Sequence, residues 1–269
     1  MCIRDRYCAL LLCIIHTSSI LKIMSNPAYP ASSVGLTLYK EIKRQMLAAL
    51  AAKEWEPGDV IPAEKQLCLR FGVSIGTLRK AIDELVAENI LIRHQGRGTF
   101  VALHNRGTHL YRFFNVVRHD SKKFYPTLVL KQFAEKTADQ LCSEKLGIAV
   151  GSPVFRFTNV RSLNEEPVLV DEITLPATLF PDLTEDKIRD RPSTLYNLYQ
   201  TQYGLNIIRI EERVRAALSD KKLAKLLNIE TGTPLLQIHR VAFSYNDQPV
   251  EYRISYVNTQ HYEYVPSAP

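Results

Sequence analysis

The sequence predicts an α+β protein in two parts, an N-terminal winged helix-turn-helix and a C-terminal half built on an antiparallel sheet. Three observations carry that reading. Three helix-like segments between Leu38 and Asn89 lead directly into the basic stretch Leu91–Val101, whose tip is Gln95-Gly96-Arg97-Gly98. Beyond residue 109 the pattern changes to strand-like runs with short helices between them. That second half also repeats itself, because Leu146–Phe157 aligns with Leu227–Ile238, setting Gly151-Ser152-Pro153 against Gly232-Thr233-Pro234.

In chain order, residues 1–23 stand apart. Cys8–Ile15 is an apolar run behind Arg4 and Arg6 that is too short to span a bilayer as a helix. Met1–Arg6 resembles translated sequencing-adapter DNA, so residues 1–23 are read as a spurious extension ahead of a start at Met24. Residues 24–36, rich in Pro, Ala and Ser, read as a flexible arm. In 37–103 the apolar residues Leu38, Ile42, Met46 and Leu50 recur at helical spacing, and Glu56-Pro57-Gly58-Asp59 ends that helix. A second helix is expected over Ala63–Phe71, broken by Gly72-Val73. Ser74 caps a third helix running to about Asn89. Leu67, Phe71, Val73, Leu78, Ile82 and Leu85 form the expected core, and strands follow at Ile90–His94 and Thr99–Leu103.

Residues 104–109 read as a linker and 110–265 as the second domain. Strands are expected at Val154–Ser162, Val168–Leu175, Leu205–Ala217, Leu235–Tyr245 and Val250–Val257, and helices at Thr137–Leu146, Ser193–Tyr203 and Asp220–Leu227. The repeated helix–turn–strand–hairpin–strand unit points to one sheet with pseudo-two-fold symmetry and to a ligand pocket between its related halves.

Charge and composition narrow the function classes. The chain has 269 residues, a formal net charge of +6 and 46% hydrophobic residues, an ordinary globular balance in which the placement of basic groups matters more than their total. Five cysteines without a C-x-x-C pair speak against a disulfide framework. Cys68 and Cys142 read as small buried hydrophobes. No nucleophile–histidine constellation, no H-E-x-x-H, no G-x-G-x-x-G and no paired histidines are present. No catalytic residue, metal site or cofactor is therefore expected.

The winged half carries the chemistry of a double-stranded DNA reader. Ser74, Thr77, Arg79 and Lys80 occupy the first turns of the third helix, the end that enters a major groove. Arg79 can fork onto a guanine edge or a phosphate, while Ser74 and Thr77 can donate to phosphate oxygens. Lys65 meets the backbone from the second helix. Gly96 and Gly98 permit a sharp turn from which Gln95 and Arg97 project toward an adjacent groove.

On these residues Leu38–Val101 resembles the winged helix-turn-helix of the GntR family of bacterial repressors. The match rests on Leu38-Tyr39, Pro57-Gly58-Asp59, Pro62-Ala63-Glu64-Lys65, Phe71-Gly72-Val73-Ser74, Thr77-Leu78-Arg79 and Gln95–Val101. The resemblance implies a cytoplasmic homodimer on a palindromic operator, released by ligand. It implies DNA contacts at Lys65, Ser74, Thr77, Arg79, Gln95 and Gly96. Ile75 and Gly76 depart from the family's usual Arg and hydroxyl residue, so an atypical operator is expected, with Ile75 against a thymine methyl.

Tyr111–Val265 resembles the effector domain of the HutC-like branch, called UTRA, with a chorismate-lyase-like fold. The internal repeat, the Asn164–Pro167 hairpin, Thr194-Leu195-Tyr196 and Pro249-Val250-Glu251-Tyr252 carry that likeness. By position Arg161, Asp171, Thr194 and Glu251 correspond to the pocket residues, implying a small anionic metabolite as effector. Asn159 stands where sugar-phosphate binders often keep a second Arg, and Val257 where an aromatic is frequent, two departures that weaken the case for a phosphosugar. Charge pairing of Arg161, Asp171 and Glu251 across the sheet is the structural alternative. The loop Arg118–Lys122 could close over a ligand. The alternative function is a small-metabolite enzyme of chorismate-lyase-like fold with a vestigial DNA-binding head.

Overall fold

The computed structural model describes residues 37–103, 113–119 and 126–265. The extension, the arm, the linker 104–109 and Asp120–Lys122 of the proposed closing loop lie outside the described residues.

The N-terminal half is built from α1 (Leu38–Ala51), α2 (Glu64–Phe71), α3 (Ile75–Ala87) and the hairpin β1 (Leu91–His94) and β2 (Gly98–Val101). Gly72 takes the left-handed conformation that closes α2, φ 64°, and Ser74 accepts from the Thr77 N–H to start α3. A three-residue break, Gly72-Val73-Ser74, thus separates the helices, because Gly adopts that conformation without the usual side-chain penalty. The register of the wing runs from Leu91 opposite Val101 to His94 opposite Gly98, leaving Gln95-Gly96-Arg97 as the tip. Gly96 sits there at φ 71°. Ile42, Met46, Leu50, Leu67, Leu78, Ile82 and Leu85 fill the core with Trp55 and Ile61, while Phe71 and Val73 pack at its margin.

The C-terminal half is a six-stranded antiparallel sheet ordered β4-β5-β6-β9-β8-β7. Its members are β4 (Thr127–Thr137), β5 (Pro153–Leu163), β6 (Glu166–Pro176), β7 (Arg209–Leu218), β8 (Pro234–Phe243) and β9 (Pro249–Asn258). The ribbon β3 (Val116–Arg118) with β10 (Tyr262–Tyr264) lies apart from it in pairing. The order is a mirror about the β6–β9 seam, and the repeat is visible atom by atom. Asp139 and Asp220 cap α4 (Gln140–Leu146) and α7 (Lys221–Leu227) with nearly identical dihedrals. Gly147 and Asn228 end those helices in the left-handed region, and Gly151 and Gly232 follow at φ 84° and 87°. Asn164-Glu165 and Asn246-Asp247 each place two consecutive residues at positive φ, the geometry that tight hairpin turns demand.

One sheet face packs against α4 and α7 through Val154, Val241 and Tyr252 and through Val160, Val170, Leu223 and Leu227. The other packs Phe157, Ile173 and Leu175 under α5 (Glu185–Arg189) and α6 (Leu195–Tyr203). Two expectations are corrected. The helix expected from Thr137 begins only at Gln140, because Thr137 ends the 11-residue strand β4, a strand the sequence reading did not assign. The strand expected from Leu205 begins only at Arg209, because the backbone first crosses toward the N-terminal half. Cys142 is buried and Cys68 half-buried.

The two halves are joined by more than chain connectivity. Tyr245, in the turn before β9, is buried within the core of the N-terminal half, with Ile208 beside it. Asn206 donates to the Tyr245 hydroxyl at 2.7 Å, and Gln200 of α6 donates to Asn206 at 3.0 Å and to the Ala102 carbonyl at 3.2 Å.

Candidate functional site

The basic face of the N-terminal half is assembled by α2, α3 and the wing. Lys65, Ser74, Arg79, Gln95, Gly96 and Arg97 are all exposed, and Thr77 is half-buried. The Ser74 hydroxyl lies 2.9 Å from that of Thr77 and also caps the Thr77 N–H, so both hydroxyls are engaged in starting α3. Arg79 donates through Nε to Glu64 at 2.8 Å, which brings the first turns of α2 and α3 side by side. Lys80 rests its ammonium 4.1 Å from the centre of the Tyr39 ring. Arg97 stands over Phe100 at 6.0 Å. Ile75 is 44% exposed, and a Cβ at Gly76 would meet only Ser74 Oγ at 3.9 Å, so the leading edge of α3 is open.

The second site lies on the α6 side of the sheet, across the β6–β9 seam. Asp171 and Ser255 face each other from β6 and β9, Arg253 follows Ser255 by one alternation, and Arg161 projects from β5. Together with Thr194, Leu195 and Tyr196 at the start of α6, and with Phe114, Asn115, Arg240 and Tyr264, they line one cleft. Asp171 is 1% exposed and receives Arg161 Nε at 2.7 Å, the Ser255 hydroxyl, and Arg253 Nη1 at 3.4 Å. Burial alone would raise its carboxyl, but Arg161, Arg253 and the Ser255 hydroxyl outweigh it and hold the group at about 2. An anion is therefore maintained inside the protein, able to accept from hydroxyls or amines.

Glu251 stands behind the cleft instead of on it. It is fully buried, receives Arg253 through Nε at 2.8 Å and Nη2 at 2.9 Å, and accepts from Tyr199 at 2.7 Å and Tyr196 at 3.2 Å. Its oxygens are occupied in holding α6 to the sheet. Burial first, then the Glu251 charge, pushes the Tyr196 phenol up to about 12 and that of Tyr199 well above its usual value, so both act as neutral donors. Arg161, Asp171 and Thr194 thus come together, while Glu251 supports them. Ser255, Arg253, Tyr196, Asn115 and Arg240 escaped sequence reasoning. The alternation Glu251, Arg253, Ser255 on one strand was the available signal for two of them. Asn159 and Val257 are both fully buried. Among the described residues no group of side chains is suited to hold a metal ion, and no helix is long and apolar enough to cross a membrane.

Comparison with known proteins places this geometry. Residues 38–101 match the gntR family of bacterial regulatory proteins, and residues 125–263 match the UTRA domain. The chain is 33% identical over 218 residues to a Shigella flexneri protein named "Probable fructoselysine utilization operon transcriptional repressor", covering 79% of this chain and 87% of that one. It is 27% identical to the mannosyl-D-glycerate transport/metabolism system repressor MngR of Escherichia coli, covering 84% of this chain and 94% of the relative. NagR of Bacillus subtilis, a transcriptional repressor, is 25% identical over 86% of this chain and 94% of its own. The solved ligand-binding domain of a GntR-family regulator from Bordetella bronchiseptica superposes with a TM-score of 0.57 at 28% identity, covering 59% of this chain and 99% of that one. YydK of Bacillus subtilis shares the fold over 87% of this chain and its own entire length, with a TM-score of 0.53 at 19% identity. These relatives are named as transcription regulators, which supports the regulator reading and gives no support to the enzyme alternative. With a winged head that presents its basic face and a sheet that encloses a polar cleft, the chain belongs to the GntR family of bacterial transcription regulators and carries its UTRA effector domain.

Proposed function

We propose that this chain is a cytoplasmic, homodimeric repressor that binds a palindromic operator and is released by a small anionic metabolite seated between Arg161, Asp171 and Thr194. The observation that carries the reading is the placement of α6. Its first residues line the cleft, and its Gln200 donates to the Ala102 carbonyl beside the wing. A ligand that shifts the start of α6 therefore acts on the strand that ends the DNA-binding half. In a dimer two α3 helices present to half-sites roughly 34 Å apart, so a displacement of a few ångströms suffices to mismatch them. Release then follows from the difference in effector affinity between the two spacings. In this reading Lys65, Ser74, Arg79, Gln95, Gly96 and Arg97 face the duplex, and Thr77 supports them by donating its N–H to the Ser74 cap of α3.

The relatives' roles in the use of fructoselysine and mannosyl-D-glycerate point to hydroxyl-rich effectors, for which Asp171 and Ser255 are suitable partners. The test is fluorescence anisotropy on DNA upstream of the gene, against random DNA, over a salt series. Sequence-preferring binding whose log affinity falls linearly with log salt is expected. Equal affinity for both DNAs at every salt concentration would exclude this as the operator.

A further inference from the structure

The six-stranded sheet has two outer edges, and they are finished differently. At β4 a register shift between Leu130 and Gln132 interrupts the ladder, and Lys131 and Lys136 are exposed along it. A bulge and lysines are ordinary means of keeping an edge from pairing with another chain. At β7 neither is present. Its ladder with β8 runs unbroken from Arg209 opposite Phe243 to Leu218 opposite Pro234, and the strand contains no Lys, Pro or Gly. Among the described residues no strand pairs with its outer side.

That open side carries both backbone groups and apolar surface. Ser219, which continues the register of β7, donates its N–H to the Thr233 carbonyl across the ladder. Successive residues of an antiparallel strand turn their backbone groups to opposite sides, so those of Val214, Ala216 and Leu218 point outward. Their side chains share one face of the sheet. Val214 is 54% and Leu218 68% exposed, and Ala216 is exposed between them. A straight ten-residue edge with exposed large apolar side chains is a template for a further strand.

The charges select which strand fits. For β7 paired antiparallel with β7 of a second copy, every symmetric register that matches five or more residues opposes like charges, except one. Centres at Glu211 and Glu212 oppose glutamates, centres at Arg213 and Arg215 oppose arginines, and a centre at Val214 sets Arg213 against Arg215. A centre at Ala216 sets Val214 against Leu218 twice and Arg215 against Ala217. Like charges directly opposite are destabilising, whereas apolar cross-strand pairs stabilise. The outward N–H and C=O of Ala216 then meet those of the partner's Ala216 as a hydrogen-bonded pair.

We propose that β7 is the homodimer contact, pairing with β7 of a second copy about Ala216 and joining the two six-stranded sheets into one. The proposal rests on the homodimer reading above and gives it a surface. The edge left open on each side is then β4, the one that is bulged and carries lysines.

The test is sedimentation equilibrium of the full chain as wild type, Ala216→Pro, Leu218→Lys and Val129→Lys, the last on the β4 edge, with the melt of each variant recorded. Ala216→Pro removes only an outward N–H, which a strand edge tolerates. Two symmetry-related hydrogen bonds are lost, so the dimer dissociation constant should rise about tenfold or more. Leu218→Lys should weaken the dimer in the same direction, and Val129→Lys should match wild type. Hydrogen exchange of the wild type should show the amides of Val214, Ala216 and Leu218 slow in the dimer and fast on dilution. A wild-type dissociation constant in whichever β7 variant melts cooperatively overturns this surface and leaves the homodimer, as does fast exchange at those amides in the dimer. Dissociation by Val129→Lys alone moves the contact to β4 and overturns it as well. A wild type that is monomeric at every concentration removes both the surface and the homodimer.

Discussion

Arg79 and Asp171 are both held by an opposite charge, but the two pairs do opposite work. The Arg79–Glu64 pair is exposed, 56% and 32% at the side chains, and surface pairs of this kind contribute little to stability. Its effect is on DNA, since Glu64 both restrains the guanidinium and places a negative charge where a phosphate approaches. Glu64→Gln should therefore tighten operator binding about two- to fivefold at low salt, and Arg79→Ala should weaken it without lowering the melting temperature. Unchanged affinity in both would remove Arg79 from the interface. Asp171 is instead buried and structural as well as functional. Its folded value of about 2 lies below the ordinary 3.8. The sign is that of a lowered carboxylate: the stabilisation is complete above about pH 4 and is lost as pH falls toward 2, on the order of 2 kcal/mol. Urea unfolding of the wild type should show that decline, and Asp171→Asn, less stable from the start, should show a flatter one. Identical slopes would mean the carboxylate is not held by its arginines.

Among the elements, those with a strong local signal were legible in the chain alone. Helix α3 carries Leu78, Ile82 and Leu85 at helical spacing behind a Ser cap, and β5 and β6 are apolar-rich runs joined by an Asn-Glu turn, buried on both faces for most of their length. Strand β4 was not legible. It is an edge strand half-exposed on both faces, and a register shift between Leu130 and Gln132 breaks its two-residue period. Helix α5 is five residues long, and β3 pairs with β10 across most of the C-terminal half, so neither carries a local signal. The same division runs through the cleft. Arg161 and Asp171 stand out as charges on apolar strands, whereas Tyr196 reaches the cleft only through the packing of α6 on the sheet. Glu251 was expected in the pocket and not as a support behind it, because its partners Tyr196 and Tyr199 come from a distant helix.

At the scale of the whole molecule, the apolar bridge at Tyr245 makes the two halves one mechanical object. Its ring lies in the core of the N-terminal half while its backbone belongs to the sheet's last hairpin, and Asn206 and Gln200 continue the link to α6. Removing a buried ring of this size costs about 3–5 kcal/mol at the site it leaves. In calorimetry the wild type should unfold as one transition, and Tyr245→Ala should separate it into two. A single transition in the variant would locate the coupling elsewhere. The packing of Trp55 has a practical result. It is the chain's single tryptophan, buried in the winged half with the Arg70 guanidinium 5.5 Å from its ring, and the sheet that forms the cleft has none. Indole emission excited beyond the tyrosine band therefore originates wholly in the half that reads DNA. Any change in it on adding a metabolite to the other half is a label-free optical record of the message passing between them.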